Sequence, residues 1–260
     1  MVFDRLIILP CHSIWKAQSI QAATGQSSDE WHLASFQIEG HDHLCFIDHI
    51  RKSFDELKRN PHALLIISGG QTKAEAGPIS EALSYYQLAQ RLIGTADENL
   101  LRRVFLEEYA RDSLENVIFL ICRFYEIAGL YPKFITVVGF EFKKSRFLKY
   151  HLAQALDFPE SLVEYIGNAP LPGPEIDHEQ YFSSLVAAEK KHALDHFATD
   201  LYGLRAPLQD KRKQRDPFNR HHGYESSNPK MKEFLSIIKN LGNNNLADEE
   251  IKNRLQVSWT

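Results

Sequence analysis

Four short, continuous apolar runs constrain this chain most: LIILP (residues 6–10), ALLIIS (63–68), RVFLE (103–107) and FITVVGF (134–140). Each is too short for a helix and lacks polar alternation, as expected of strands buried on both faces of a parallel sheet. The segments between them carry apolar residues at helical spacing, such as Phe46, Ile50, Phe54 and Leu57, or Val117, Leu120, Ile121 and Phe124. Strand then helix, repeated, predicts a doubly wound α/β fold: a Rossmann-like three-layer sandwich with a mainly parallel sheet. LVEYIG (162–167) reads as a fifth strand.

Residues 14–43 fit no period and are expected to form a long loop after the first strand, either a lid or a plain surface excursion. After a proline-marked connector, helices are predicted over 181–199, 231–241 and 247–255, the last two separated by the small run Asn243, Asn244 and Asn245. The expected organisation is an α/β domain over 1–200 and a C-terminal basic arm with short helices over 201–260, packed on it.

The 260 residues are 43% hydrophobic and 25% charged, enough for a sizeable core. A formal charge of −4 gives no global reason to bind nucleic acid or a membrane. Cys11, Cys45 and Cys122 are odd in number and far apart, which argues against a disulfide framework. No stretch approaches the roughly 20 apolar residues that span a bilayer. The expectation is a soluble, cytoplasmic protein.

In an open parallel sheet, ligands bind beyond the carboxyl ends of the strands. Four loops are therefore read together. Ser68, Gly69, Gly70 and Thr72 resemble a phosphate cradle, with glycines free to adopt positive φ, or else a plain glycine turn. Pro78 is expected near the first helical position beyond them, with Glu81 in the first turn. In EEYARDSLEN (107–116), Asp112 and Glu115 form a capping-box pattern, while Glu107 at a strand end and Asn116 are candidates for acid–base or ligand-orienting work. His12 ends the first strand and is a candidate acid, base or phosphate donor. KKSR (143–146) sets Lys143 and Arg146 where cations oppose a helix dipole, which suggests an anionic ligand. The histidine spacings fit no metal site, and none is expected. The basic run at 205–222 reads as an arm lying on the fold, or as an RNA contact.

In order, SGG at 68–70, SEA at 80–82 and the glutamate-led segment with Glu107, Ser113, Glu115 and Asn116 resemble the SanA/YdcF-like family, also called domain of unknown function 218. The resemblance covers about residues 6–156 and points to a eukaryotic, fungal-type branch. Lys143 stands where bacterial members carry the histidine of a His-x-x-Arg, and Arg146 keeps the arginine. What the resemblance implies is a Rossmann-like sandwich with its pocket at the strand ends, and S-adenosylmethionine as a candidate cofactor.

The functional expectation is a protein binding a small anionic ligand, a nucleotide or phosphorylated metabolite, as a hydrolase or transferase. Catalytic candidates are Glu107, Glu115 and His12; ligand-binding candidates are Ser68, Gly69, Gly70, Thr72, Glu81, Ser113, Asn116, Lys143 and Arg146. The competing readings are an S-adenosylmethionine-binding protein, and a non-catalytic scaffold or sensor that meets a protein partner through the basic arm.

Overall fold

The computed structural model describes residues 2–16, 23–94, 98–239 and 246–259. The run of asparagines and the last two residues of the helix expected over 231–241 lie outside them. Five strands, β1 (Arg5–Pro10), β2 (Ala63–Ser68), β3 (Val104–Glu107), β4 (Phe134–Phe140) and β5 (Val163–Asn168), form one sheet in the order β3-β2-β1-β4-β5. Every pairing is parallel. The apolar runs became strands because both faces are covered: Leu6, Ile7, Ile8 and Leu9 are all fully buried.

Alternation assigns these residues to two cores. Ile7, Leu9, Leu65 and Ile67 pack with α1 (Asp42–Arg59) and α2 (Glu81–Ile93). Leu6, Ile8, Leu64 and Ile66 pack with α3 (Ser113–Ala128), with a wide π-helical segment (Arg146–Gln154) and with the C-terminal region. A fully buried aliphatic side chain contributes about 1.5–3 kcal/mol, so the doubled burial of each strand fixes its place more firmly than local propensity does.

Further helices are α4 (His178–Glu189), α5 (Leu208–Gln214), α6 (Lys232–Lys239) and α7 (Asp248–Lys252), and short helical turns also occupy Ser35–Glu39, Glu98–Leu101, Asp195–Phe197 and Tyr224–Ser227. Tyr202, Leu208, Met231, Phe234, Ile251 and Trp259 share the core beneath α3, so the C-terminal region is continuous with that layer. The helix expected over 181–199 starts earlier, at His178, and passes after Glu189 into a π turn (Lys190–Leu194). Within the long first loop, Trp15 and Trp31 pair across an isolated antiparallel bridge and are 1% and 2% exposed. Trp15 donates to the buried carboxylate of Glu30, which also takes the backbone amides of Gly25 and Ser27. The tryptophan-centred part of this loop is packed, while the short helix Ser35–Glu39 leaves Phe36 and Ile38 exposed; residues 17–22 lie outside the description.

Candidate functional site at the sheet switch point

Strands β1, β2 and β3 step outward in one direction and β4 and β5 in the other, so the chain reverses between β1 and β4. Crossover loops diverge there and leave a crevice at the carboxyl ends. His12 follows β1 and Lys143 follows β4, one on each side of that crevice.

The Ser-Gly-Gly loop is built differently from the expected cradle. Ser68 and Glu107 are register partners at the ends of β2 and β3. The Ser68 hydroxyl lies 2.7 Å from Glu107 Oε2 and 2.7 Å from Asn116 Oδ1. One hydroxyl proton serves one acceptor, so the second contact requires a proton on Glu107 or an Asn116 amide turned to present its nitrogen. The Gly69 and Gly70 amides donate to the carbonyls of Glu107 and Ala110, at 3.0 and 2.7 Å. Their own carbonyls accept from the first amides of α2, Ala82 and Glu81. Those amides are therefore spent on the protein, and neither glycine has a positive φ. Glycine is required for close approach instead: a Cβ at Gly69 would stand 2.7 Å from Glu81 Cβ, and one at Gly70 2.9 Å from the Ala110 carbonyl. Pro78 also falls outside the helix, because Ser80 is the N-cap of α2 and accepts from the Leu83 amide.

Glu107 and Glu115 are equally committed. Glu107 is 1% exposed and takes the Tyr109 amide at 2.7 Å and the Ala110 amide at 3.3 Å, besides Ser68. Burial raises its pKa to about 7 against those hydrogen bonds. Glu115 receives both the side chain and the backbone amide of Arg111 and lies 3.7 Å from Arg212. The D-x-x-E pattern caps α3 through Asp112, which accepts from Leu114 and Glu115. As general bases, Glu107 and Glu115 would have to abandon this lattice.

Ser113 lies 2.8 Å from Nε2 of the fully buried His151. The other ring nitrogen of His151 is buried without a partner. An unpaired N–H is costlier to bury than an unpaired ring acceptor, so the proton belongs on Nε2, donated to Ser113. That tautomer makes the pair an anchor for the π-helical segment and denies Ser113 a base.

The residues left to face the crevice form a coherent set. Lys143 is half-buried, with Nζ 4.9 Å from the Phe140 ring centroid and 5.5 Å from that of Phe142. It has neither ion pair nor hydrogen bond among the described residues. Burial, then the charge of Arg146, lowers its pKa to about 8. His12 sits among Phe46, His49 and Phe140, with centroids 5.1–5.7 Å away, and its Nε2 is buried without a partner. Burial and the neighbouring charge of Lys143 hold this imidazole neutral. His49 is tied to the end of β5 by a 2.6 Å contact with Asn168 Oδ1. Asp42, at the start of α1, is raised to about 6 by burial, with Lys143 opposing. Glu81, which takes the Thr72 hydroxyl, is also raised by burial. Arg146 reaches Glu189 of α4, Nε to Oε1 3.1 Å.

The basic arm borders the same region. The Arg212 side chain is 2% exposed and bonds Asp112; Arg220 donates to the Glu108 carbonyl and lies over Tyr109; Arg215 donates to the Arg111 carbonyl. Of these, Arg212 is paired with the carboxylates of Asp112 and Glu115, whereas Arg215 and Arg220 meet backbone carbonyls of the loop after β3. A separate cavity of about 380 Å³ lies at the opposite end of the sheet, between Tyr131, Lys133 and Trp259.

No protein-family model and no solved structure matches this chain. It is 38% identical over 260 aligned residues to the uncharacterized protein YOR238W of Saccharomyces cerevisiae (strain ATCC 204508 / S288c), across 84% of this chain and 86% of the yeast protein. The two belong to one family.

Sequence reasoning brought His12, Lys143, Arg146 and Glu81 to one end of the sheet and missed Asp42, His49, Glu189 and Arg215. Arg215 lay unmarked within the basic run; Glu189 carried no signal, since it is one charge on a polar helix. Among the described residues, no helix is long and apolar enough to cross a membrane, and no group of three or more His, Cys, Asp or Glu is placed to hold a metal ion.

Proposed function

We propose that this protein binds a small anionic ligand, a phosphorylated metabolite or nucleotide, in the switch-point crevice, with Lys143 as its charge anchor. The observation that carries the reading is a half-buried ammonium that no acid in the described structure pairs with. Withdrawing a charge from water without an ion-pair partner costs several kcal/mol, and an arriving anion offsets that cost. His12, neutral and with its Nε2 buried without a partner, offers a hydrogen bond to one of the ligand's remaining oxygens without adding charge, while His49 spends its ring N–H on Asn168. Asp42 and Glu81, each held up by burial, are suited to donate a proton to a leaving oxygen, which favours hydrolysis or group transfer. The ordered loops ending β2, β3 and β4 also support placing the family beside the SanA/YdcF-like proteins.

Thermal stabilisation and calorimetry with inorganic phosphate, pyrophosphate, nucleotides and sugar phosphates test this reading on the full chain. At least one should stabilise the protein, and Lys143→Met should remove that gain while keeping the unliganded fold. A ligand that stabilises Lys143→Met as much as the native chain would refute the anchor.

A further inference from the structure

None of the residues of α4 is buried, yet the helix packs on the turn that carries Lys143 (Glu141–Lys143). A helix with little buried apolar area is weakly held. Two side chains tie it down near the crevice. Tyr181 lays its hydroxyl into space left open by Gly40, and Glu189 pairs with Arg146. The Arg146–Glu189 pair is well removed from water, at 12% and 9% side-chain exposure. Although Arg146 Nε and Glu189 Oε1 are 3.1 Å apart, their geometry forms no hydrogen bond, and both atoms are buried without another partner. A buried guanidinium whose carboxylate is close but misaligned forgoes the directional part of the interaction.

The chain on either side of α4 is held: Pro170 and Pro172 are buried, and the Leu171 amide donates to the Gly40 carbonyl. A connector with Pro170, Pro172 and Pro174 precedes it, and the π turn Lys190–Leu194 follows it, leading to the buried Phe197, which packs on His151. The C-terminal end is therefore anchored in the core while the helix itself lies on the surface.

We infer that Glu189 is a built-in competitor for the ligand: its carboxylate occupies the anion position on Arg146, and an arriving anionic group exchanges with it and releases α4 from the mouth of the crevice. The inference rests on the anionic ligand proposed above. It assigns Arg146 a second state, paired to ligand, and makes α4 a displaceable cover. No covalent step is involved; one anion replaces another on the same guanidinium. The favoured ligand carries two anionic groups, one for Lys143 and one for Arg146, as pyrophosphate and nucleoside diphosphates do.

The test uses the full chain with pyrophosphate and ADP as probes. Affinity is measured by calorimetry for the native protein, Glu189→Gln and Lys143→Met, and amide hydrogen exchange is followed in residues 178–189. Glu189→Gln keeps the shape and removes the competing charge, so it should bind about fivefold more tightly or better. Exchange in α4 should quicken in the native protein when probe is added, and should already be fast in unliganded Glu189→Gln. If Glu189→Gln binds no more tightly while Lys143→Met loses binding, the competitor is refuted and the ligand reading survives. Unchanged or slower exchange in α4 on binding refutes the cover. Absence of binding by the native chain to either probe at millimolar concentration overturns this inference, and failure of the wider phosphate panel overturns the parent reading.

Discussion

Glu107→Gln separates a structural carboxylate from a catalytic one. In the folded protein burial raises Glu107 to about 7, whereas an unfolded glutamate titrates near 4.3. Between these values the folded state holds a proton that the unfolded state has released, so native stability falls as pH rises through that window. Below the lower value the contribution is fully present, and above about 7 it is lost. With about 1.4 kcal/mol per pKa unit, the difference over the whole window amounts to roughly 4 kcal/mol. Glutamine resembles the protonated acid: its oxygen can accept the Tyr109 amide, and its nitrogen can donate to Ser68. The awkward contact is the Ala110 amide at 3.3 Å, which then faces a donor.

Urea unfolding of both proteins at pH 5 and pH 8 provides the assay. The native chain should lose stability relative to Glu107→Gln by about 2–3 kcal/mol between those conditions, with Glu107→Gln slightly the weaker at pH 5. The same comparison by thermal unfolding should move the difference in Tm by about 4–10 °C. A pH-independent difference would refute the assignment of a neutral, buried Glu107. So would complete loss of pyrophosphate binding in a folded Glu107→Gln, because that would return the residue to the ligand site.

Two further substitutions probe the lattice around the site. Arg212→Met removes the buried partner of Asp112 and should cost about 3 kcal/mol in urea unfolding at pH 7. Asp112 is depressed below its ordinary value chiefly because Arg212 opposes its burial, so the deficit should shrink as pH falls through the carboxylate range; a deficit constant down to pH 3 would show that packing, and not charge, is lost. Gly69→Ala drives a methyl to 2.7 Å from Glu81 Cβ and 3.0 Å from Cys11 Cβ, and should destabilise by about 1–3 kcal/mol. Equal thermal stability of the alanine variant would show that the loop yields freely at this point.

The strands were legible because their cause is local. A run such as ALLIIS is apolar on both faces, and β2 covers the same six residues. The first helices were legible from spacing, with ends set by Ser80 and Asp112 at their N-caps. The SGGQT loop stands at a strand end as its pattern predicts, but its glycine amides are occupied, and free and occupied amides look alike in sequence. What occupies them are carbonyls about 40 residues away, those of Glu107 and Ala110. Likewise Glu107 and Glu115 looked available until Tyr109, Ala110, Arg111 and Arg212 were placed around them. Lys143 has the opposite history: it was one cation in a cluster, and became distinct when Arg146 paired with Glu189 and Lys144 with Glu141, leaving it without a partner.

By itself, the sequence determined the α/β class, the order of strands and helices, and the end of the sheet where polar loops gather. Those properties follow from the periodicity of apolar residues and from turn chemistry over a few neighbours. The tertiary structure decided which charges remain unspent, because pairing depends on chain segments far apart in sequence. The arm neutralises the loop after β3, α4 supplies a carboxylate to Arg146, and α1 brings Asp42 and His49 toward His12. Burial then shifts the protonation of whatever is left, and it is this remainder, centred on Lys143, that can meet a ligand.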